Sequence, residues 1–500
     1  HEQKCSPLKC FSNKNCIFVI SGVLSTLLSC GLGLGYIAVA LRQTVLDDEN
    51  IKTDEKTLRF IEVAGEIAFV PPVVAIPFVM QKYGRRIASI SISIPLIFSW
   101  LISFDTQHYV SLMIFNILHH VSLGGTVAVS SVVISEFCSP KYRSTFLMLE
   151  TAMMSLGVLI SHVTGVFLCW RFTSTLGVLT AVYSMIITYF WPESPYWLMN
   201  QGHMVKSTES FQWLRGQDDE AYKELEAMLR TQKLKLQLDA LRPVRRPDVK
   251  ERIMDYLKSL FKADFLKPLS IMILLFSFVG FGGENVVSKY SLRDLFTLAN
   301  GKYIGTIVVD ILSLVCSLTA CVLVKIVKRK TLFIFTGSLS VIFLAFTSLL
   351  LFLQSVQSIS ADYMWIFLSL VTAFVMFMSL GTTALPFSLL GELFPMSYRG
   401  IGSSLTCAYL WAFGNSILRL VPSLTNSLGV HGILIMTLIL MIIILIVLNK
   451  ILPETSNKTL LEIEELMRAK DNNETNYVIV EDTEREETEH FERLKLFIDV

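Results

Sequence analysis

The sequence predicts an all-α membrane protein: twelve transmembrane helices in two six-helix halves, joined by a helical cytoplasmic middle loop. Three observations lead there. Hydrophobic residues make up 52% of the 500 and charged residues 17%, against about 25% charged in a soluble chain, and mean hydropathy is +0.55. The apolar residues fall in twelve continuous runs rather than an alternating pattern, which favours helices over a barrel, since only these two satisfy their backbone groups in lipid. Finally, three short motifs recur in one order in the two halves of the chain, as a duplicated unit would produce.

The first six runs are Cys16–Leu41, Phe60–Met80, Ile87–Phe104, Val110–Ser135, Phe146–Phe167 and Leu176–Trp191. The first exceeds a signal-peptide core and reads as a retained span. After a polar interval come Leu269–Val287, Ile304–Val324, Thr331–Leu353, Tyr363–Leu390, Ile401–Ser423 and Val430–Leu448, the eleventh being the weakest. The chain therefore divides into a segment at 1–15, a first half at 16–191, a linker at 192–267, a second half at 268–450 and a tail at 451–500. An even number of spans puts both termini on one side. Lys82, Arg85, Arg86, Lys141, Arg143, Lys325, Lys328, Arg329 and Lys330 share that side, which the positive-inside rule makes cytoplasmic. Arg42, Lys52, Lys56 and Arg59 stand on the other face and weaken the asymmetry.

Between the halves, Val205–Leu241 and Lys250–Phe261 carry helical patterning, and the acidic tail from Arg468 reads as solvated and disordered. Two glycosylation sequons, at Asn457 and Asn473, fall on the predicted cytoplasmic side and should stay unmodified. The chain opens on His1 rather than a methionine, which points to a missing start. The nine cysteines show no metal spacing and read as small buried hydrophobes. A formal net charge of +1 removes the asymmetry of a nucleic-acid binder. No phosphate loop, metal cluster or nucleophile motif stands out, so neither an enzyme nor a cofactor site is expected. The partners expected are a small-molecule solute and the lipid bilayer, with a monomer as default.

The repeat is specific. Tyr83-Gly84-Arg85-Arg86 after the second run answers Val327-Lys328-Arg329-Lys330 after the eighth. Glu136 stands seven residues before Arg143, as Glu392 does before Arg399, with Tyr142 and Tyr398 preceding each arginine. Pro192-Glu193-Ser194 answers Pro453-Glu454-Thr455. At these residues, and at PESPYWL (192–198), GELFPMSYRG (391–400) and PETSNKTL (453–460), the chain resembles the sugar porters of the major facilitator superfamily, insect facilitated trehalose transporters most of all. The resemblance implies facilitative transport of a hexose or trehalose by alternating access in the plasma membrane. Two other readings stay open: a nutrient sensor of the same fold that no longer transports, and a carrier, proton-coupled or not, for a non-sugar solute.

The resemblance also implies roles for residues. Arg85, Arg86, Glu136, Arg143 and Glu193 would bind the helix ends of the first half together at a cytoplasmic gate, and Arg329, Lys330, Glu392, Arg399 and Glu454 those of the second. The chain departs from the family pattern at Gln81, Lys325, Lys328, Tyr196 and Asn116, which implies a looser gate. In the seventh run the family's glutamine pair is absent from Val279–Asn285, leaving Gly283 and Asn285. Losing two amide contacts at about 1–2 kcal/mol each would weaken hexose binding roughly 30- to 1000-fold unless other groups replace them. Asn285, Trp411, Phe387 and Gly283 are the substrate contacts the resemblance implies.

Small residues at Gly31, Gly33 and Gly35, and at Gly280, Gly282 and Gly283, read as packing notches or flexing points. Glu62, Glu66, His119, His120, His162, Glu284 and Asp310 are ionisable groups inside apolar runs. Glu66 and Glu284 are the candidates for proton coupling, whereas Glu62 and Asp310 are expected to face water near helix ends.

Overall fold

The computed structural model describes residues 14–47, 55–104, 109–168, 170–216, 221–230, 261, 263–282, 304–355, 364–395, 398–456, 458 and 460–468. Six long helices form the first half: α1 (Lys14–Asp47), α2 (Glu55–Tyr83), α3 (Arg85–Ser103), α4 (Tyr109–Phe137), α5 (Pro140–Phe167) and α6 (Trp170–Phe190). Three short ones follow: α7 (Pro195–Asn200), α8 (Met204–Arg215) and α9 (221–230). The second half holds α10 (Ala263–Gly282), α11 (Ile304–Ile326), α12 (Arg329–Ser355), α13 (Met364–Phe377), α14 (Ala384–Leu390) and α15 (Arg399–Ile451). The last described helix is α16 (Leu460–Arg468).

Among the described residues, eleven helices are long and apolar enough to cross a bilayer. The twelfth crossing is the first limb of α15, the run that reads weakest in the sequence. A corner interrupts this long helix: Gly429 has φ 71 and ψ 168, which splits α15 into two limbs. The first limb is less apolar because Arg399, Ser403, Ser404 and Thr406 on it are buried in protein rather than facing lipid. Together the limbs complete an all-helical membrane protein of two six-helix halves.

The tenth crossing differs from the single run the sequence suggests. A π-helical turn, Met378–Thr382, separates α13 from α14. It frees backbone groups that the Thr383 N–H and hydroxyl satisfy on the Met378 carbonyl, at 2.9 and 3.1 Å. Within the predicted helical stretch Val205–Leu241 the described residues form α8 and α9, while 217–220, 231–241, 250–260 and the tail beyond Arg468 lie outside the described residues and Phe261 forms a turn.

Within the first half, α1 packs on α5 and α6, and α2 and α3 pack on α4. The α1–α5 crossing requires small residues on both helices. A Cβ at Gly31 would stand 2.2 Å from the Met154 carbonyl oxygen, and one at Gly157 would stand 2.4 Å from that of Leu28. Trp100 on α3 fills the interior, donating to the Ser29 hydroxyl at 2.8 Å and meeting Tyr36 and Phe115 edge-on. The six described free cysteines are all buried. Across the seam between halves, α5 packs on α11 and α14, while α2 and α4 pack on α15.

The corner at Gly429 gives a direct test of this architecture. Its backbone lies in a region essentially restricted to glycine, costing other residues about 1–3 kcal/mol, and an added Cβ would stand 2.9 Å from the His431 ring. Gly429→Ala should lower the thermal midpoint of the detergent-purified protein by several degrees. An unchanged midpoint would show that the corner does not constrain the two limbs.

Candidate functional site

The site is assembled at the helix ends that carry the duplicated charges. α2 and α3 meet at Gly84, whose φ of 93 turns the chain within one residue. A Cβ there would stand 2.3 Å from Glu193 Oε2. That close approach lets Glu193 accept from the freed N–H groups at the start of α3: Arg85 at 2.6 Å and Arg86 at 3.1 Å. The helix N-terminus favours the anion. Glu454 does the same for α12, accepting from the N–H groups of Arg329 and Lys330 at 3.2 Å each. Burial pushes the Glu193 carboxyl up, against the pull of the Ser194, Arg85 and Arg86 N–H groups and the Arg85 guanidinium.

A second layer uses side chains. Arg85 grips Glu136 with two nitrogens, Nε to Oε2 at 2.8 Å and Nη2 to Oε1 at 2.7 Å, and the Ser194 hydroxyl donates to Oε2 at 2.6 Å. In the other half Arg329 grips Glu392 through both Nη1 and Nη2, while its Nη1 also donates to the Thr455 hydroxyl at 2.7 Å. The duplicated motifs thus build one polar arrangement twice. Arg86 and Lys330 take part through their main-chain N–H groups. The Arg86 guanidinium donates to the Tyr189 carbonyl and lies over that ring, so it is not a side-chain partner of the acids.

The two arginines that follow the acids depart from their expected places. Arg143, expected to bind within its own half, crosses the seam: Nε donates to Glu392 Oε1 at 2.7 Å and Nη2 to the Lys458 carbonyl at 2.8 Å. Arg399, its counterpart, is 2% exposed, and its Nε has no hydrogen-bond partner among the described residues. Each carboxylate accepts three hydrogen bonds: the third at Glu136 comes from the Ser194 hydroxyl, whereas at Glu392 it comes from Arg143, the Thr455 hydroxyl accepting from Arg329 instead. Burial lowers the proton affinity of Arg399, with the Glu136 carboxylate acting against it. Burial likewise opposes ionisation of Glu392, but the Arg143 and Arg329 guanidiniums outweigh it and hold that carboxyl below its ordinary range. The approach of the halves is close at this level: a Cβ at Gly391 would stand 2.6 Å from the Ser131 carbonyl oxygen.

Tyr196, which stands where the family has arginine, donates its hydroxyl to Glu224 at 3.1 Å. Arg215 on α8 pairs with the same carboxylate at 2.8 Å and donates to the Cys138 carbonyl. The short helices α7 to α9 are thereby tied to the turn between α4 and α5 by an arginine that no motif in the sequence singles out. Asn116 donates to the Ile61 carbonyl at 2.6 Å, joining α4 to α2. Ser194, Thr455 and Glu150 are likewise unanticipated. The first two are signalled by their place after Pro-Glu in both halves. Glu150 lies buried within α5, and its Oε1 has no partner among the described residues.

Of the expected substrate contacts, Gly283 and Asn285 lie outside the described residues, as does Glu284. Phe387 packs edge-on against Phe276 within its own half at 5.1 Å. Trp411 is stacked across the seam on Phe69 at 4.2 Å and meets His120 at 5.5 Å, with its indole N–H unpartnered among the described residues. Further out, Glu66 is ion-paired with Arg419, and Asp310, expected to face water, accepts from His162 Nδ1 at 2.6 Å. Glu62 is exposed.

A family model described as Sugar (and other) transporter matches residues 68–467. The facilitated trehalose transporter Tret1 of Drosophila virilis is 26% identical over 394 residues, covering 78% of this chain and 42% of that protein. The chain thus spans less than half the length of that relative. Trehalose transporter 1 of Drosophila melanogaster is 26% identical over 472 residues, covering 91% of this chain and 52% of its own. The Tret1-2 homolog of Drosophila simulans is 24% identical over 465 residues, covering 90% and 91%. Among solved structures, the proton:xylose symporter XylE bound to 6-bromo-6-deoxy-D-glucose superposes with a TM-score of 0.73 at 18% identity, over 91% of this chain and 100% of that one. At that identity the likeness is one of fold. With four-fifths of its length matched and the duplicated charged motifs in register, the chain belongs to the Sugar (and other) transporter family.

Proposed function

We propose that this chain is a facilitative carrier for a small polyhydroxylated solute, a hexose or trehalose, working by alternating access in the cell membrane with both termini cytoplasmic. The observation that carries the reading is the sharing of Glu392 by guanidiniums from both halves. Arg85–Glu136 and Arg329–Glu392 lie within single halves and can travel with them as rigid units, whereas Arg143–Glu392 must part before the cytoplasmic side opens. The names of the matched relatives support sugar as the solute class. Asn285, Gly283, Phe387 and Trp411 are the proposed cavity contacts, and Glu66, being ion-paired, is not proposed as a proton carrier.

Removing the anion from a buried pair strands the partner charge, at about 3–5 kcal/mol, and Glu392 holds two such partners. Neutralising Glu136 and Glu392 together, as Glu136→Gln with Glu392→Gln, should cut uptake at least tenfold while leaving surface expression intact. Unchanged uptake would remove the gate role. For the function itself, purified protein in liposomes should exchange labelled glucose or trehalose in counterflow, insensitive to protonophores. Sugar binding without counterflow would indicate a sensor, and counterflow competed by non-sugars would indicate a different solute.

A further inference from the structure

The duplication extends to a second set of charges that the cytoplasmic motifs do not include. Glu66 stands nineteen residues before Arg85, and Asp310 stands nineteen before Arg329. His162 stands nineteen residues after Arg143, and Arg419 twenty after Arg399. Nineteen helical residues rise about 28 Å, nearly the full hydrocarbon thickness, so all four groups sit toward the face opposite the cytoplasmic charges. Each acid lies on the second helix of its half and each base on the fifth. The structure pairs them crosswise: Glu66 of α2 with Arg419 of α15, and Asp310 of α11 with His162 of α5.

We infer that these two cross-half pairs form an outer latch, the duplicated counterpart of the cytoplasmic one, which must break for the carrier to open outward. The inference rests on the alternating-access reading and deepens it. Beneath the first pair, Phe69 stacks on Trp411 and His120 meets the same indole edge-on, so the seam under the ions is sealed by aromatic contact. At the second, Asp310 accepts from His162 Nδ1 at 2.6 Å. The pairs differ in strength through their bases. Arg419 is permanently charged, whereas His162 carries charge only when protonated. Both acids are less than a quarter exposed, but the Arg419 side chain is 57% exposed, so the first pair should hold the outer side closed only about 2- to 5-fold.

The test reads opening without needing a transported solute. A cysteine placed at Val73, buried one turn inward of Phe69, is labelled from outside by a membrane-impermeant thiol reagent, against the same chain without it and normalised to mature surface protein. Glu66→Arg and Arg419→Glu, each alone, should raise the labelling rate about 2- to 5-fold, and the two together should restore it. Asp310→Asn should raise it similarly, and His162→Arg should lower it. Where a reversed charge reduces surface protein below detection, Glu66→Gln and Arg419→Gln give the same readout. Single variants that leave labelling unchanged, or a charge swap that fails to restore it, overturn the latch. Labelling that responds in protein lacking counterflow would uphold the latch and sink the transport reading instead.

Discussion

A carboxylate buried between two protein halves needs positive charge within reach, because desolvation otherwise costs several kcal/mol. Glu392 is fully buried, and it is satisfied by Arg329 from its own half and Arg143 from the other. The rest of the cytoplasmic architecture follows from that requirement. Gly84 turns α2 into α3 so that Glu193 can reach the main-chain N–H groups beside Arg85. Glu454 does the same beside Arg329. These contacts fix each helix end relative to its neighbours, so the parting of the halves is confined to the seam.

Duplication supplies two copies of every part, yet among the described residues these motifs make only one ion pair across the seam. Glu136 accepts from Arg85 and Ser194, and Arg399 lies buried with an Nε unpartnered among the described residues. A closure held by one crossing is weaker than one held by two. The outer face shows the complementary pattern, with both crossings made but each partly open to solvent. On the proposed alternating-access reading neither side should be closed so firmly that it cannot open, and single or solvent-weakened pairs meet that need on both faces.

The two-half plan and the charged helix ends were legible in the sequence because they repeat: the same spacings at Glu136–Arg143 and Glu392–Arg399 allow one reading to check the other. Which acid receives Arg143 was not legible, since it depends on contact across 249 positions and on which carboxylate is already occupied. The outer pairs were half visible. Glu66 and Asp310 stand out as acids in apolar runs, but considered singly they suggest proton transfer and water contact, and the nineteen-residue spacing that relates them emerges only once their partners are known. The π-helical turn at Met378–Thr382 escaped because Tyr363–Leu390 is uniformly apolar, and periodicity within such a run carries no mark of an inserted residue.

On the proposed alternating access, the seam beside Glu392 closes and opens in each transport cycle. Pro77 of α2 and Gly400 of α15 face each other across it, and a Cβ built at Gly400 would stand 3.8 Å from that of Pro77, the separation a disulfide spans. Pro77→Cys with Gly400→Cys, in a chain whose other cysteines are replaced, should cross-link under mild oxidation and stop counterflow until a reductant restores it. Counterflow at the full rate in the cross-linked protein would contradict the account.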